Sequence, residues 1–385
     1  MMLIRSRRKG ALRRGLAGLC ALCMLFCAMP VSALEADAVS APSAVLMDAG
    51  SGTVLFEKEA HLQRPCASVT KVMTLLIVFE AIDSGKISLD DSVMVSSHAA
   101  SMGGSDIWLE TGESMTVDEL VRATVIMSAN DAAVALAEYV SGSEDDFVRA
   151  MNEKAAALGM ADTTFKNCNG LDEEGHLTSA YDVAVMSRAL MQHEKIFDYT
   201  TVWIDYLRDG QTQLVNTNKL LKSYNGITGL KTGTTSAAGS CISATAERDG
   251  LSLIAVVLGA SSTDERFSDA ATLLDFGFAN YAAMTPTLPE LGEAAVSGGM
   301  SATVPLRADE PQSYLVPKGS AGIVSTLVLP ETLEAPVSPG DVVGSIEFTS
   351  GETKLGSQPV YAAEGTPEIS VGAVFRLLLS YVCCL

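Results

Sequence analysis

The chain has 385 residues, 48% of them hydrophobic and 19% charged, with 26 basic and 46 acidic side chains and a net charge of −20. That length holds a sizeable core in more than one domain, and the composition excludes a disordered chain. A surface this acidic repels phosphate backbones, which argues against nucleic acid as a partner and against a broad basic patch for anionic lipid.

The positive charge is concentrated at the start. Arg5, Arg7, Arg8, Lys9, Arg13 and Arg14 precede an apolar run from Leu16 to Ala28 and the small-residue pattern Val31-Ser32-Ala33. This is the layout of a secretory signal peptide, residues 1–33, with cleavage after Ala33. The run is short for a membrane span, and an uncleaved anchor is the alternative. Without these residues 20 basic side chains face 46 acidic ones, a net charge of −26. Cys66, Cys168, Cys241, Cys383 and Cys384 then remain, without regular spacing. No disulfide framework is expected, and the first three read as small buried side chains. His61, His98, His176 and His193 lack metal-ligand spacing, so neither a zinc site nor another cofactor is expected.

After a short polar linker, the apolar runs Ala44–Met47 and Thr53–Phe56 flank Asp48-Ala49-Gly50-Ser51-Gly52, which predicts a hairpin. Val72 to Ile82 predicts a helix whose first turn holds Ser68 and Lys71. Thr116 with Glu119 makes a capping box for a helix through about Met127. A second helix runs from about Asp131 to Val140. Ser143 with Asp146 caps a third, ended by Gly159, and Ser179 with Asp182 caps a fourth to about Gln192. Gly229–Thr234, Cys241–Arg248 and Leu251–Gly259 read as strands, the last two joined by Asp249-Gly250. A helix from about Asp264 to Tyr281 follows. Strands, helices, strands and a final helix make an α+β domain, an antiparallel sheet flanked by helices, over residues 34–284. Short Val, Leu and Ile runs broken by Gly and Pro make a small all-β domain over 285–368. The tail, 369–385, is nearly all apolar. At about 1.5 Å per residue its 15 helical residues from Val371 fall short of a bilayer core. It reads either as an interfacial membrane anchor or as a helix docked on its own domain.

Three short motifs carry chemistry. In Ser68-Val69-Thr70-Lys71 the i and i+3 positions share a helix face, so the amine reaches the hydroxyl. A serine needs a base to become a nucleophile, and desolvation makes a lysine one. The helix start adds N–H groups for an oxyanion. In Ser128-Ala129-Asn130, between two helices, the hydroxyl can relay a proton and the amide can bind a substrate carbonyl. A plainer role is also open there, with Ser128 ending one helix and Asn130 capping the next. In Lys231-Thr232-Gly233, on a strand, the first two can bind a carboxylate while the glycine lets a substrate backbone pass. S-x-x-K, S-D-N and K-T-G in this order form a known set, and a Ser-Lys pair needs no histidine.

From about Ala44 to Ala279 the sequence closely resembles the low-molecular-mass penicillin-binding proteins, specifically the serine-type D-alanyl-D-alanine carboxypeptidases. The likeness includes the segment from Pro65 to Lys71, Ser128-Ala129-Asn130-Asp131-Ala132, Asn169-Gly170-Leu171-Asp172, and Gly229 to Thr235 with Ala238-Gly239. The resemblance implies a transpeptidase/β-lactamase-like fold and release of the terminal D-Ala from peptidoglycan stem peptides, with β-lactams as covalent inhibitors. It implies that Ser68 is acylated with Lys71 as its base, and that Ser128 and Asn130 shuttle protons and bind substrate. Lys231, Thr232 and Gly233 then line the groove, the N–H groups of Ser68 and Thr234 form the oxyanion hole, and Arg266 helps bind the terminal carboxylate. Ala129 stands where the general motif has Asp, which favours the carboxypeptidase branch.

Two other readings use the same motifs. A β-lactamase needs a further general base, and Glu173 and Glu174 lie in the right part of the chain but in an exposed-looking loop. A non-enzymatic penicillin sensor needs only the pocket. Water or an amine as acyl acceptor is left open.

Overall fold

The computed structural model describes residues 34–383, so the expected signal peptide lies outside the described residues. Strands β1 (Ser43–Asp48) and β2 (Val54–Lys58) form the first hairpin. Asp48 shapes its turn by accepting the Ser51 N–H at 2.7 Å and the Ser51 hydroxyl at 2.5 Å. A 3₁₀ turn, Ala67–Thr70, then runs into helix α1 (Lys71–Asp83). A helical lobe follows, with α2 (Val117–Arg122), α3 (Asn130–Ser141), α4 (Glu144–Ala157) and α5 (Ala180–Leu190). The chain returns through β3 (Ile227–Thr235), β4 (Gly239–Arg248) and β5 (Leu251–Ala260), and ends this part with α6 (Thr263–Asn280).

The five strands make one antiparallel sheet in the order β2-β1-β5-β4-β3. The first strand of the domain therefore pairs with the last, and β3 is left as a free edge. Both faces are covered. Val45, Met47, Ile254, Val256 and Leu258 pack with Val72, Leu76 and Phe79 of α1. Leu46, Ile242, Leu253, Ala255 and Val257 pack with Leu273, Leu274 and Phe278 of α6. Double burial explains why β1 and β5 read as unbroken apolar runs instead of alternating ones.

The predicted caps form. Thr116 accepts the Glu119 N–H at 3.1 Å while Glu119 accepts the Thr116 N–H at 2.9 Å. Ser143 and Ser179 accept the N–H groups of Asp146 and Asp182. Replacing Thr116 by Ala loses the cap, and chemical denaturation should register about 1 kcal/mol of lost stability with catalysis unchanged. The helix that Thr116 starts does not continue regularly to Met127. It widens into a π-turn over Ala123–Met127 and stops at Ser128, whose backbone is left-handed at φ 66°. Two small pairings escaped the sequence reading, Ser92–Met94 with Ser114–Thr116 and Ile204–Leu207 with Thr212–Val215. Strands of three and four residues are too short to establish a period.

Beyond α6, Tyr281–Met284 pairs with Tyr314–Pro317. A separate six-stranded sheet follows around Val304, Ile346, Phe348 and Val360, the all-β part that was expected. The final helix, α7 (Val371–Cys383), leaves Phe375, Leu378 and Leu379 exposed. Among the described residues no helix is long and apolar enough to cross a membrane.

Candidate active site

The 3₁₀ turn and α1 bring Ser68 and Lys71 together as their spacing requires. Lys71 Nζ lies 3.0 Å from Ser68 Oγ, 2.6 Å from Asn130 Oδ1 and 2.7 Å from the Asn169 carbonyl oxygen. The side chain is fully buried, and burial lowers its pKa from 10.5 to about 7 against the opposing pull of neighbouring Asp106 and Asp131. Two of its three partners are carbonyl oxygens, which only accept. A neutral amine must spend its two N–H bonds on them, which leaves its lone pair aimed at the Ser68 hydroxyl.

Asn130 is the first residue of α3, and its side chain does not cap that helix as the plainer reading had it. Its amide is committed elsewhere. Nδ2 donates to the Gly103 carbonyl at 2.7 Å, which turns Oδ1 toward Lys71. Ser128 is buried, and its hydroxyl has no hydrogen-bond partner among the described residues. A buried unpaired hydroxyl costs about 1–3 kcal/mol, a cost that a reacting group needing a proton relay would relieve.

The third motif lies on β3, the free edge. Lys231 is 1% exposed, and Nζ donates to the Thr232 carbonyl at 3.0 Å. Burial, then the nearby Lys71 and Arg266 charges, push its pKa well down. An incoming carboxylate would reverse that push. A Cβ on Gly233 would sit 2.7 Å from the Cys66 carbonyl oxygen and 2.8 Å from the Ser68 nitrogen, so only glycine lets this strand run so close to the Ser68 turn. Arg266, on α6, donates to the Gly233 carbonyl at 2.9 Å and to Thr234 Oγ1 at 2.8 Å. The guanidinium is thus held against the same strand, beside Lys231.

Thr217 was missed from sequence, and Asn169 was named there without a role. Thr217 accepts the Thr232 hydroxyl at 2.7 Å, while its own N–H reaches the Ile126 carbonyl at 3.2 Å. It ties β3 to the turn before Ser128, and nothing in Asn216-Thr217-Asn218 signals this. Asn169 contributes a backbone carbonyl, which residue type does not encode. The adjoining Gly170 is a turn signal that marks where to look. Cys66, Cys168 and Cys241 are buried free thiols, as expected. Burial pushes Cys66 up to about 12 and Cys241 to about 11, so they stay protonated. Glu173 and Glu174 are exposed, as their loop suggested.

Residues 30–262 match the family model of the D-alanyl-D-alanine carboxypeptidases, and residues 289–368 match that of the penicillin-binding protein 5 C-terminal domain. The D-alanyl-D-alanine carboxypeptidase DacF of Bacillus subtilis (strain 168) is 41% identical over 331 residues, which cover 84% of this chain and 85% of the relative. The crystal structure of penicillin-binding protein 5 from Haemophilus influenzae aligns with a TM-score of 0.74 and 28% identity, over 86% of this chain and 98% of that one. That of penicillin-binding protein D2 from Listeria monocytogenes, in the ampicillin-bound form, aligns with a TM-score of 0.57 and 34% identity, over 62% and 98%. The fold, the Ser-Lys geometry and these likenesses agree, and the chain belongs to the D-alanyl-D-alanine carboxypeptidase family of serine hydrolases.

Proposed function

We propose that this carboxypeptidase removes the terminal D-alanine of peptidoglycan pentapeptide stems through an acyl-enzyme on Ser68. Lys71 takes the Ser68 proton as Oγ attacks the carbonyl between the two D-alanines. The N–H groups of Ser68 and Thr234 receive the oxyanion. The C–N bond breaks, Ser128 passes a proton to the leaving amine, and water then releases the shortened stem. Asn130 holds both Lys71 and the substrate amide. Lys231, Thr232, Gly233 and Thr234 line the groove, and Arg266 joins Lys231 in attracting the terminal carboxylate. A β-lactam carbonyl enters the same position and leaves a covalent adduct. The observation that carries this reading is the set of acceptors around Lys71 Nζ, which points its lone pair at Ser68.

Residues 1–33 direct export, so residues 34–284 act outside the cytoplasmic membrane as the catalytic domain, with 285–368 as a separate β domain. The apolar tail, 369–385, with Phe375, Leu378 and Leu379 exposed on α7, lies on the membrane surface. The enzyme serves cell-wall biogenesis and cell shape.

The test uses the exported chain beside its Ser68→Ala variant, with a peptide ending in D-Ala-D-Ala. The expected result is free D-Ala and a long-lived penicilloyl adduct on Ser68 by mass spectrometry, both absent from the variant. Rapid penicillin hydrolysis without D-Ala would identify a β-lactamase instead. A stable adduct without D-Ala would identify a sensor.

A further inference from the structure

Beneath the Ser68 turn lies an imidazole that the acylation chemistry does not use. His176 is 4% exposed and belongs to an irregular segment pinned by the Thr164–Leu177 and Arg64–Thr178 backbone pairings. Its ring meets Phe165 edge-on, with centroids 5.7 Å apart. Nδ1 lies 3.2 Å from the Lys166 N–H and accepts from it, so that nitrogen carries no proton. Burial lowers the pKa of the ring to about 4, which keeps it neutral. The single ring proton is therefore on Nε2, which donates to Thr70 Oγ1 at 2.8 Å. The Thr70 hydroxyl proton is then directed at Cys66 Sγ, 3.3 Å away.

This ordered chain ends on the two residues that bracket the nucleophile. Cys66 precedes the 3₁₀ turn that carries Ser68, and Thr70 closes it. The segment that holds His176 also grips α1 further along, where the Asn169 carbonyl accepts from Lys71 and the Cys168 carbonyl accepts from Thr74 at 2.6 Å. Thr70, Lys71 and Thr74 are thus fastened to one segment about a hundred residues away in the chain, and the fastening at Thr70 is made by a side chain.

We propose that His176 is a positioning residue of the carboxypeptidase: by donating to Thr70 it fixes the turn that sets Ser68 Oγ against Lys71 and the Ser68 N–H toward the oxyanion. The inference rests on the assignment of Ser68 and Lys71 made above. A reacting group displaced by about 1 Å loses up to about a hundredfold in rate, so a small slackening of this turn is visible in kinetics.

The experiment measures penicillin acylation of Ser68 and D-Ala release, with kcat and KM separated, on the full exported chain. His176→Phe keeps a ring against Phe165 and removes the donor. It should lower acylation and kcat about tenfold with little change in KM. His176→Gln, which places an N–H near the position of Nε2, should recover most of the loss. Thr70→Val should imitate His176→Phe, Thr70→Ser should not, and His176→Phe should cost nothing more once Thr70 is Val. Additive losses in the double variant, or no recovery with Gln, would mean that His176 only fills space. Should His176→Phe fail to fold, the Thr70→Val and Thr70→Ser pair makes the same comparison, and equal activity in the two would overturn the inference. Activity surviving in Ser68→Ala would instead strike the site assignment on which it rests.

Discussion

Lys71→Ala loses acylation. The rate of penicillin attachment to Ser68 and the release of D-Ala both fall by about a hundred- to ten-thousand-fold, the usual contribution of a positioned general base. Lys71→Arg gives no rescue, because a guanidinium does not deprotonate in proteins. The pH dependence follows from the same burial. Lys71 is pushed down from 10.5 to about 7, so below about pH 7 it is protonated and has no lone pair for Ser68. Acylation should therefore drop about tenfold per pH unit on the acid side. In the role proposed for it Lys231 works in the opposite sense, since it would attract a carboxylate only when charged, and burial also pushes its pKa down. Loss of the Lys231 proton should lower activity on a peptide substrate. Acylation rates between pH 5 and 10 for the wild type and Lys71→Ala are the measurement. Undiminished acylation in Lys71→Ala would remove the lysine from the mechanism.

Gly170→Ala damages stability and activity together. Gly170 has φ +86°, and a Cβ there would lie 2.0 Å from the Ala67 carbonyl oxygen and 2.9 Å from the Ser68 nitrogen. These are backbone atoms of the nucleophile turn, so no side chain can swing aside. The left-handed strain and the collision together cost about 2–4 kcal/mol. Relief comes only by moving the Ser68 turn or the neighbouring Asn169 carbonyl that holds Lys71, so acylation falls about a hundredfold. Gly85→Ala separates the two causes. Gly85 also has positive φ, +72°, but its Cβ would meet nothing within 4 Å. That variant should lose only about 1 kcal/mol and keep full activity. Denaturant midpoints and acylation rates of the two variants are compared side by side. Equal behaviour would mean that the contact between residue 170 and the nucleophile turn has no consequence.

Much of the fold was legible because its signals are local. The Thr116–Glu119, Ser143–Asp146 and Ser179–Asp182 caps each join residues three apart. The Asp249-Gly250 turn joins two adjacent strands, and helical spacing alone puts Lys71 beside Ser68. The expected helix does reach Met127, but its last five residues from Ala123 widen into a π-turn, which has no distinctive composition and delivers Ser128 in its left-handed conformation.

The sequence by itself determined which groups the proposed chemistry draws on: a hydroxyl, an amine three residues on, a Ser-Ala-Asn loop and a Lys-Thr-Gly strand. These are properties of residue type and short spacing. Tertiary structure alone decided what state those groups are in. Pairing of β1 with β5 left β3 as a free edge, a consequence of strand order that no local pattern carries. Asn130 and the Asn169 carbonyl, 59 and 98 residues from Lys71, supply the acceptors that orient its lone pair. The lowered pKa of Lys71 comes from burial, which exists only when the helical lobe closes over the sheet. Desolvation and hydrogen-bond direction are set by what surrounds a residue in space, and chain neighbours supply only part of that surrounding.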